Sequence, residues 1–253
     1  MVITSKDNES IKKIRKLKEK KYRKETGKFI IEGIKLIKEA IQEKASIDTI
    51  VVCEACVKNG EIDKDLIYEI AKYNCIYVDE KVFSNITEVQ NPQGILAVIN
   101  KKNEDSVINY KEDIIIILDD IQDPGNLGTI LRTIDSCGIT QVIISKKSGD
   151  VFNPKVVRST MGAIFRVNLI ESENLIDTIK QIKKHKFQVV STSLKTDESI
   201  YDLEYKKIAI VIGNEANGVS QEVLDVSDKR VKIPMLRKNG KPKCRNCNWS
   251  NFV

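Results

Sequence analysis

Apolar and polar positions along this chain follow two different rhythms, and the change from one to the other divides it. In residues 8–26 Ile11, Ile14 and Leu17 recur at helical spacing among lysines and arginines, predicting one basic helix with a single buried stripe. Gly27 ends it, and Phe29-Ile30-Ile31-Glu32-Gly33 reads as the opening of a second helix that reaches about Glu43. Strands at 49–53, 75–78 and 95–99, the last introduced by Gln93-Gly94, alternate with a helix at 64–73. This is the pattern of a small α/β module over residues 1–100. Residues 101–112 are polar and weakly periodic, and read as a linker. From residue 113 the pattern changes. Ile114-Ile115-Ile116-Ile117-Leu118 is unbroken apolar, as expected of a parallel strand buried on both faces. Similar runs recur at 141–145, 166–170, 188–193 and 208–212, separated by helical stretches at 127–137, 154–162, 175–185 and 221–226. The expected architecture of 113–253 is a parallel sheet covered by helices.

In such sheets ligands bind beyond the carboxyl ends of strands, so the loops there carry the chemistry. After 114–118 comes Asp119-Asp120-Ile121-Gln122-Asp123-Pro124-Gly125-Asn126-Leu127-Gly128, a Pro-Gly turn running into a helix that begins near Asn126, with Asn126 as its cap. Arg132 lies six residues further on, and shares a pocket with Asn126 if Asn126 sits in the turn. After 208–212 comes Gly213-Asn214-Glu215-Ala216-Asn217-Gly218, where glycines admit close backbone approach and Glu215 places an acid at a strand end. Val231-Lys232-Ile233-Pro234-Met235 is a short strand stopped by proline. Neither G-x-G-x-x-G nor a Walker A sequence occurs.

Composition narrows the chemistry. Among 253 residues the only histidine is His185, in a lysine-rich helix end, which excludes histidine-dependent triads and most histidine metal sites. The net charge of +6 is loaded at the ends: residues 1–28 hold eleven Lys/Arg against four Asp/Glu, and 231–253 hold six Lys/Arg and no acid. That distribution fits a polyanionic partner, with Lys20, Lys21 and Arg23 in the densest run. Two Cys-x-x-Cys pairs, Cys53/Cys56 and Cys244/Cys247, invite a zinc-ribbon reading, against which Cys53 ends an apolar strand; no metal is expected. No apolar run is long enough to span a bilayer and the N-terminus lacks a signal-peptide core, so a cytoplasmic protein is expected.

Taken together and in order, the three loops resemble the signature motifs of the SpoU/TrmH family of SPOUT methyltransferases. The match is Asn126-Leu127-Gly128-x-x-x-Arg132, then Gly213-Asn214-Glu215-x-x-Gly218, then Ile233-Pro234-Met235. Ser5, Asn8, Lys20-Lys21-Tyr22-Arg23 and Phe29-x-x-Glu32-Gly33 are similar to the small L30e-like RNA-binding domain preceding many of these catalytic domains. The resemblance implies an α/β-knot domain with a deep trefoil knot, a homodimer, and methyl transfer from S-adenosylmethionine to a ribose 2′-hydroxyl of RNA. It favours a guanosine of 23S ribosomal RNA. It places Arg132 beside the target ribose, with Asn126 and Glu215 orienting substrate and Arg132. It assigns Gly213, Ile233, Thr192 and Met235 to the cofactor and Arg158, with the basic front, to RNA. A guanidinium is never deprotonated in proteins, so Arg132 is expected to clamp phosphate and stabilise developing charge, not to act as base.

Residues 237–253 depart from that pattern. The family continues with Gly, then Glu-Ser-Leu-Asn and a helix of small residues, whereas here Pro242 and two cysteines interrupt any helical period. Allowed codons for this tail, read one base later, give Gly-Lys-Thr-Glu-Ser-Leu-Asn-Val-Glu-Ile-Ala-Thr-Gly-Val-Ile-Leu. The tail is therefore read as frameshifted near Leu236–Arg237. Its alternatives are a genuine zinc- or RNA-binding tail, and a catalytically impaired RNA-binding protein unable to hold cofactor.

Overall fold

Where one basic helix is predicted over 8–26, a strand, β1 (Val2–Ile3), is followed by two helices, α1 (Glu9–Lys16) and α2 (Lys20–Thr26). The computed structural model describes residues 2–102 and 107–234. It divides into two units, Met1–Glu104 with Asp150–Phe165, and Asp105–Gly149 with Arg166–Val253.

In the first unit the predicted apolar stripe is present: Ile11, Ile14 and Leu17 are buried among Val51, Val82, Phe83 and Leu96. The helix breaks because residues 17–19 tighten into i→i−3 bonds, and the carbonyls of Leu17 and Lys18 turn to accept Nη1 of Arg23, each at 2.7 Å. Gly27 ends α2 in the left-handed region, φ +63°. The helix expected to open at Phe29 is instead a strand, β2 (Lys28–Glu32), followed by α3 (Ile34–Gln42). A short run of Phe and Ile suits a buried strand as well as a helix, and pairing with a partner strand decides it. That partner comes late in the unit, after β3 (Ile47–Cys53), α4 (Glu54–Lys58), α5 (Lys64–Ile70), β4 (Cys75–Val78) and α6 (Glu80–Ile86). It is β5 (Ile95–Asn100), antiparallel to β2 from Lys28 opposite Asn100 to Glu32 opposite Leu96. The sheet order is β1-β4-β3-β5-β2.

Near the start of the second unit, residues 109–112 of the predicted linker are tied down. The Asn109 N–H donates to Gln141 Oε1 (2.9 Å), whose Nε2 donates back to the Asn109 carbonyl (3.0 Å). Lys207 Nζ donates to the carbonyls of Tyr110 and Glu112, and the Tyr110 ring stacks on exposed His185, centroids 3.6 Å apart. The sheet begins with β6 (Ile114–Asp119), then α7 (Pro124–Ser136) and β7 (Gln141–Ser145). Next come α8 (Pro154–Thr160), which packs on β2 in the first unit, and α9 (Ala163–Arg166). Because α9 takes residues up to 166, the strand predicted at 166–170 falls two residues later, as β8 (Asn168–Ser172). Then follow α10 (Leu175–Lys184), β9 (Gln188–Thr192), β10 (Ile208–Gly213), α11 (Gln221–Val226) and β11 (Lys229–Val231). All six strands are parallel, in the order β11-β9-β10-β6-β7-β8. Central β6 and β10 are buried on both faces, as the unbroken isoleucine run predicts. At roughly 1.5–3 kcal/mol for each fully buried aliphatic side chain, this two-sided burial is what commits the run to the middle of the sheet. The helix expected to complete a knot falls after Met235, outside the described residues.

Candidate active site

The carboxyl ends of β6 and β10 are adjacent, with Asp119 in register with Gly213. The loop leaving β6 starts on Asp120, held at φ +60°, a left-handed position that aspartate tolerates better than most residues. Its N–H donates to Ser145 Oγ (3.0 Å) and that of Ile121 to Ser148 Oγ (3.1 Å), so the loop is fastened to the one after β7. α7 begins earlier than predicted. Pro124 occupies its first turn and the cap is Asp123, whose Oδ1 accepts the Asn126 N–H at 2.8 Å. Asn126 is thereby freed from capping.

Its side chain, 9% exposed, reaches across to the next strand's loop, where Nδ2 donates to Glu215 Oε1 at 2.7 Å. Asn126 Oδ1 is buried and has no partner among the described residues. A buried acceptor left open costs about 1–3 kcal/mol, which marks it as a place for an incoming donor. Glu215 sits in a hairpin turn closed by the Asn214–Gly218 bridge. Asn214 organises that turn: its Oδ1 accepts the N–H groups of Ala216 and Asn217, and its Nδ2 donates to the Asp120 carbonyl. Gly213 is required because the turn folds back on it; a Cβ there would lie 2.1 Å from the Val219 nitrogen. The close approach is to the protein's own backbone.

The structure brings Asn126 and Glu215 together but hydrogen-bonds Arg132 to neither. Arg132 is exposed and makes no ion pair or hydrogen bond among the described residues. Thr192 ends β9 beside β10, and its hydroxyl donates to the Val211 carbonyl at 3.1 Å. Ile233, half-buried, follows β11, whose end is held by the 193–200 loop through Ser193 N–H to Val231 O and Ile200 N–H to Lys232 O. Thr192, Gly213 and Ile233 thus stand at or just beyond the ends of three neighbouring strands. Met235, expected beside them, lies outside the described residues, as do Cys244, Cys247 and the anomalous tail.

Of the residues expected to meet RNA, Lys20 and Lys21 are exposed. Arg23 is a correction. It is 2% exposed, and besides capping α1 it pairs with Asp150 through Nε (3.1 Å) and Nη2 (2.5 Å), so its guanidinium is fully engaged inside the first unit. Arg158, on α8, is half-buried with Nη1 enclosed and unpartnered among the described residues. Cys53 and Cys56 are free thiols packed against Gly94. Burial, with hydrogen bonds to Cys53 and Glu61, pushes the Cys56 thiol up to about 12. Among the described residues no group of three or more His, Cys, Asp and Glu side chains could hold a metal, and no helix is long and apolar enough to cross a membrane. Sequence reading missed Asp119, Ser145 and Ser148 as loop anchors; the only available signal was the polarity of positions closing an apolar strand.

The family model described as SpoU rRNA Methylase family matches residues 113–240. The chain belongs to the SpoU rRNA methylase family. Residues 8–97 match the MRM3-like substrate binding domain, so this SpoU protein carries a substrate-binding module ahead of its methylase domain. The 23S rRNA (guanosine(2553)-2'-O)-methyltransferase of Bacillus subtilis (strain 168) is 31% identical over 234 residues, 92% of this chain and 90% of its own. A crystal structure of an AdoMet-bound rRNA methyltransferase from Sinorhizobium meliloti has a TM-score of 0.85 at 29% identity, covering 99% of this chain and 95% of that one. The AdoMet complex of the SpoU methyltransferase AviRb from Streptomyces viridochromogenes, at 21% identity and a TM-score of 0.83, covering 96% and 95%, shares the fold. The SpoU family is one of methyltransferases, and its methyl donor is S-adenosylmethionine. These matches lend no support to a non-catalytic RNA-binding protein.

Proposed function

We propose that this chain methylates a ribose 2′-hydroxyl of ribosomal RNA, a guanosine of the 23S molecule, as a cytoplasmic homodimer. The observation that carries the reading is the buried, open acceptor of Asn126, oriented by Glu215 at the carboxyl ends of a parallel sheet. The name of the B. subtilis relative supports the nucleotide and the RNA.

S-adenosylmethionine would be held at the neighbouring strand ends by Thr192, Gly213 and Ile233, beside Leu194, whose 67% exposure offers apolar surface for a nucleoside ring. When bound it supplies an electrophilic methyl on a sulfonium, so catalysis rests on alignment and charge stabilisation. Asn126 Oδ1 accepts a hydrogen bond from the target nucleotide. Glu215 holds the Asn126 amide in the one orientation that presents that oxygen. Arg132, exposed and unpaired among the described residues, binds the adjoining phosphate and stabilises charge on the ribose oxygen as its proton leaves to solvent. Residues 1–100 bring the RNA, with Lys20 and Lys21 neutralising phosphates. Arg158, with its enclosed unpartnered nitrogen, meets an anionic group.

Incubation with radiolabelled S-adenosylmethionine and unmodified 23S RNA tests the reading. It expects label on a ribose 2′-oxygen, and label on a base instead would refute it.

A further inference from the structure

We propose that Asp119 is a positioning residue for the Asn126–Glu215 pair, acting through the hairpin turn 214–218; the proposal rests on reading that pair as the substrate-facing site. Asp119 ends a strand of four isoleucines and a leucine and is 3% exposed. A carboxylate taken out of water carries a penalty of several kcal/mol unless strong hydrogen bonds offset it. The bond it makes is to backbone: Oδ2 accepts the Ser220 N–H at 2.8 Å. A charge-assisted bond of this kind is about twice as strong as a neutral one.

Ser220 lies two residues beyond the turn, at its exit, and the turn's entrance is fastened at the neighbouring residue of the same strand end, where Asn214 Nδ2 donates to the Asp120 carbonyl at 2.8 Å. The turn is therefore pinned at both ends to Asp119 and Asp120. Between the pins the turn is held together by the Asn214–Gly218 bridge and by Asn214 Oδ1, which accepts the Ala216 and Asn217 N–H groups, so it moves as one piece on its two fastenings. Glu215 is carried on this turn, and its carboxylate decides which way the Asn126 amide faces. Releasing Ser220 lets the turn lift from Gly213, moves Glu215, and frees Asn126 to flip.

A purely local role for Asp119, closing the start of α11, is the alternative. The two differ in what happens at Asn126. In the full chain, Asp119→Ala is expected to speed exchange of the Ser220 amide hydrogen at least about tenfold. It is also expected to shift the Asn126 side-chain amide pair in ¹⁵N spectra away from its Glu215-bonded position. Asp119→Asn keeps an oxygen acceptor and restores both signals. Ser220→Pro removes the donor from the other side without straining the backbone, since Ser220 already sits at φ −59°, and should reproduce the alanine variant if that variant does not fold. Methyl transfer by Asp119→Ala falls about 10- to 100-fold in kcat with KM for RNA little changed. In a Glu215→Ala background it falls no further. An unchanged Asn126 signal in Asp119→Ala or Ser220→Pro overturns the proposal, whatever the activity. A shifted signal with Asn126→Ala fully active overturns the reading of the site instead, and leaves the mechanical link from Asp119 supported.

Discussion

Arg23 and Arg132 are both cations on helices of a protein read as RNA-binding, and the fold gives them opposite circumstances. Arg23 is spent on two carbonyls and a carboxylate, and its removal leaves Asp150, 13% exposed, without its cation. Arg23→Ala should therefore destabilise the first unit by about 3–5 kcal/mol, read as a lower urea midpoint, with no separate effect on RNA affinity in the folded protein. Arg132 makes no ion pair or hydrogen bond among the described residues, so Arg132→Ala should leave stability unchanged and lower methyl transfer about 10²- to 10³-fold while RNA still binds. Full activity in that variant would remove Arg132 from the mechanism. The motif singled out Arg132, but nothing in the linear order distinguishes Arg23 from the exposed lysines beside it; burial does, and burial belongs to the tertiary fold. Cys56 shows the same dependence. With its thiol raised to about 12, it should react with iodoacetamide at pH 8 about a thousandfold more slowly than an ordinary cysteine, and faster as pH rises toward 12.

Elements were legible in the sequence where a single period ran long enough. The strands 114–118, 141–145 and 208–212 and the helix at 221–226 fall within a residue of their observed bounds. Failures cluster where a partner distant in sequence or a competing cap sets the element's identity or its boundary. The turn at 17–19 is made by Arg23 from outside the helix it ends, and β2 is a strand because β5, more than sixty residues away, pairs with it. The start of α7 moved from Asn126 to Pro124 because Asp123, another good cap, lay three residues earlier, and that shift leaves Asn126 available to Glu215. The same economy makes Gly213 intolerant. In Gly213→Ala the new methyl meets the Val219 nitrogen, and we expect a loss of about 1–3 kcal/mol, read as a lower melting temperature, together with displacement of Glu215 and loss of methyl transfer.

At the scale of the whole molecule the sequence motifs pointed to adjacent strand ends for the candidate site, and the two family matches, 8–97 and 113–240, describe a substrate-binding module and a methylase in tandem. The tail is tested at the level of the gene. A frameshift predicts that re-reading the DNA across codons 236–237 recovers Glu-Ser-Leu-Asn, and that the restored chain binds S-adenosylmethionine more tightly than this one by isothermal titration. An uninterrupted codon series shared by close relatives would refute it.

The segment Asp150–Phe165 lies inside the methylase match yet is packed with the first unit, where Phe152 meets Phe29 at 5.0 Å and Asp150 holds Arg23. The halves are thus not interchangeable cassettes. A gene fragment starting at residue 105 would encode α8 without the surface it was shaped against, and one ending at 104 would leave Arg23 facing an open seam. Recombination that swapped recognition modules between such enzymes would have to exchange this internal stretch as well, so partner choice and chemistry are bound to be inherited as one unit.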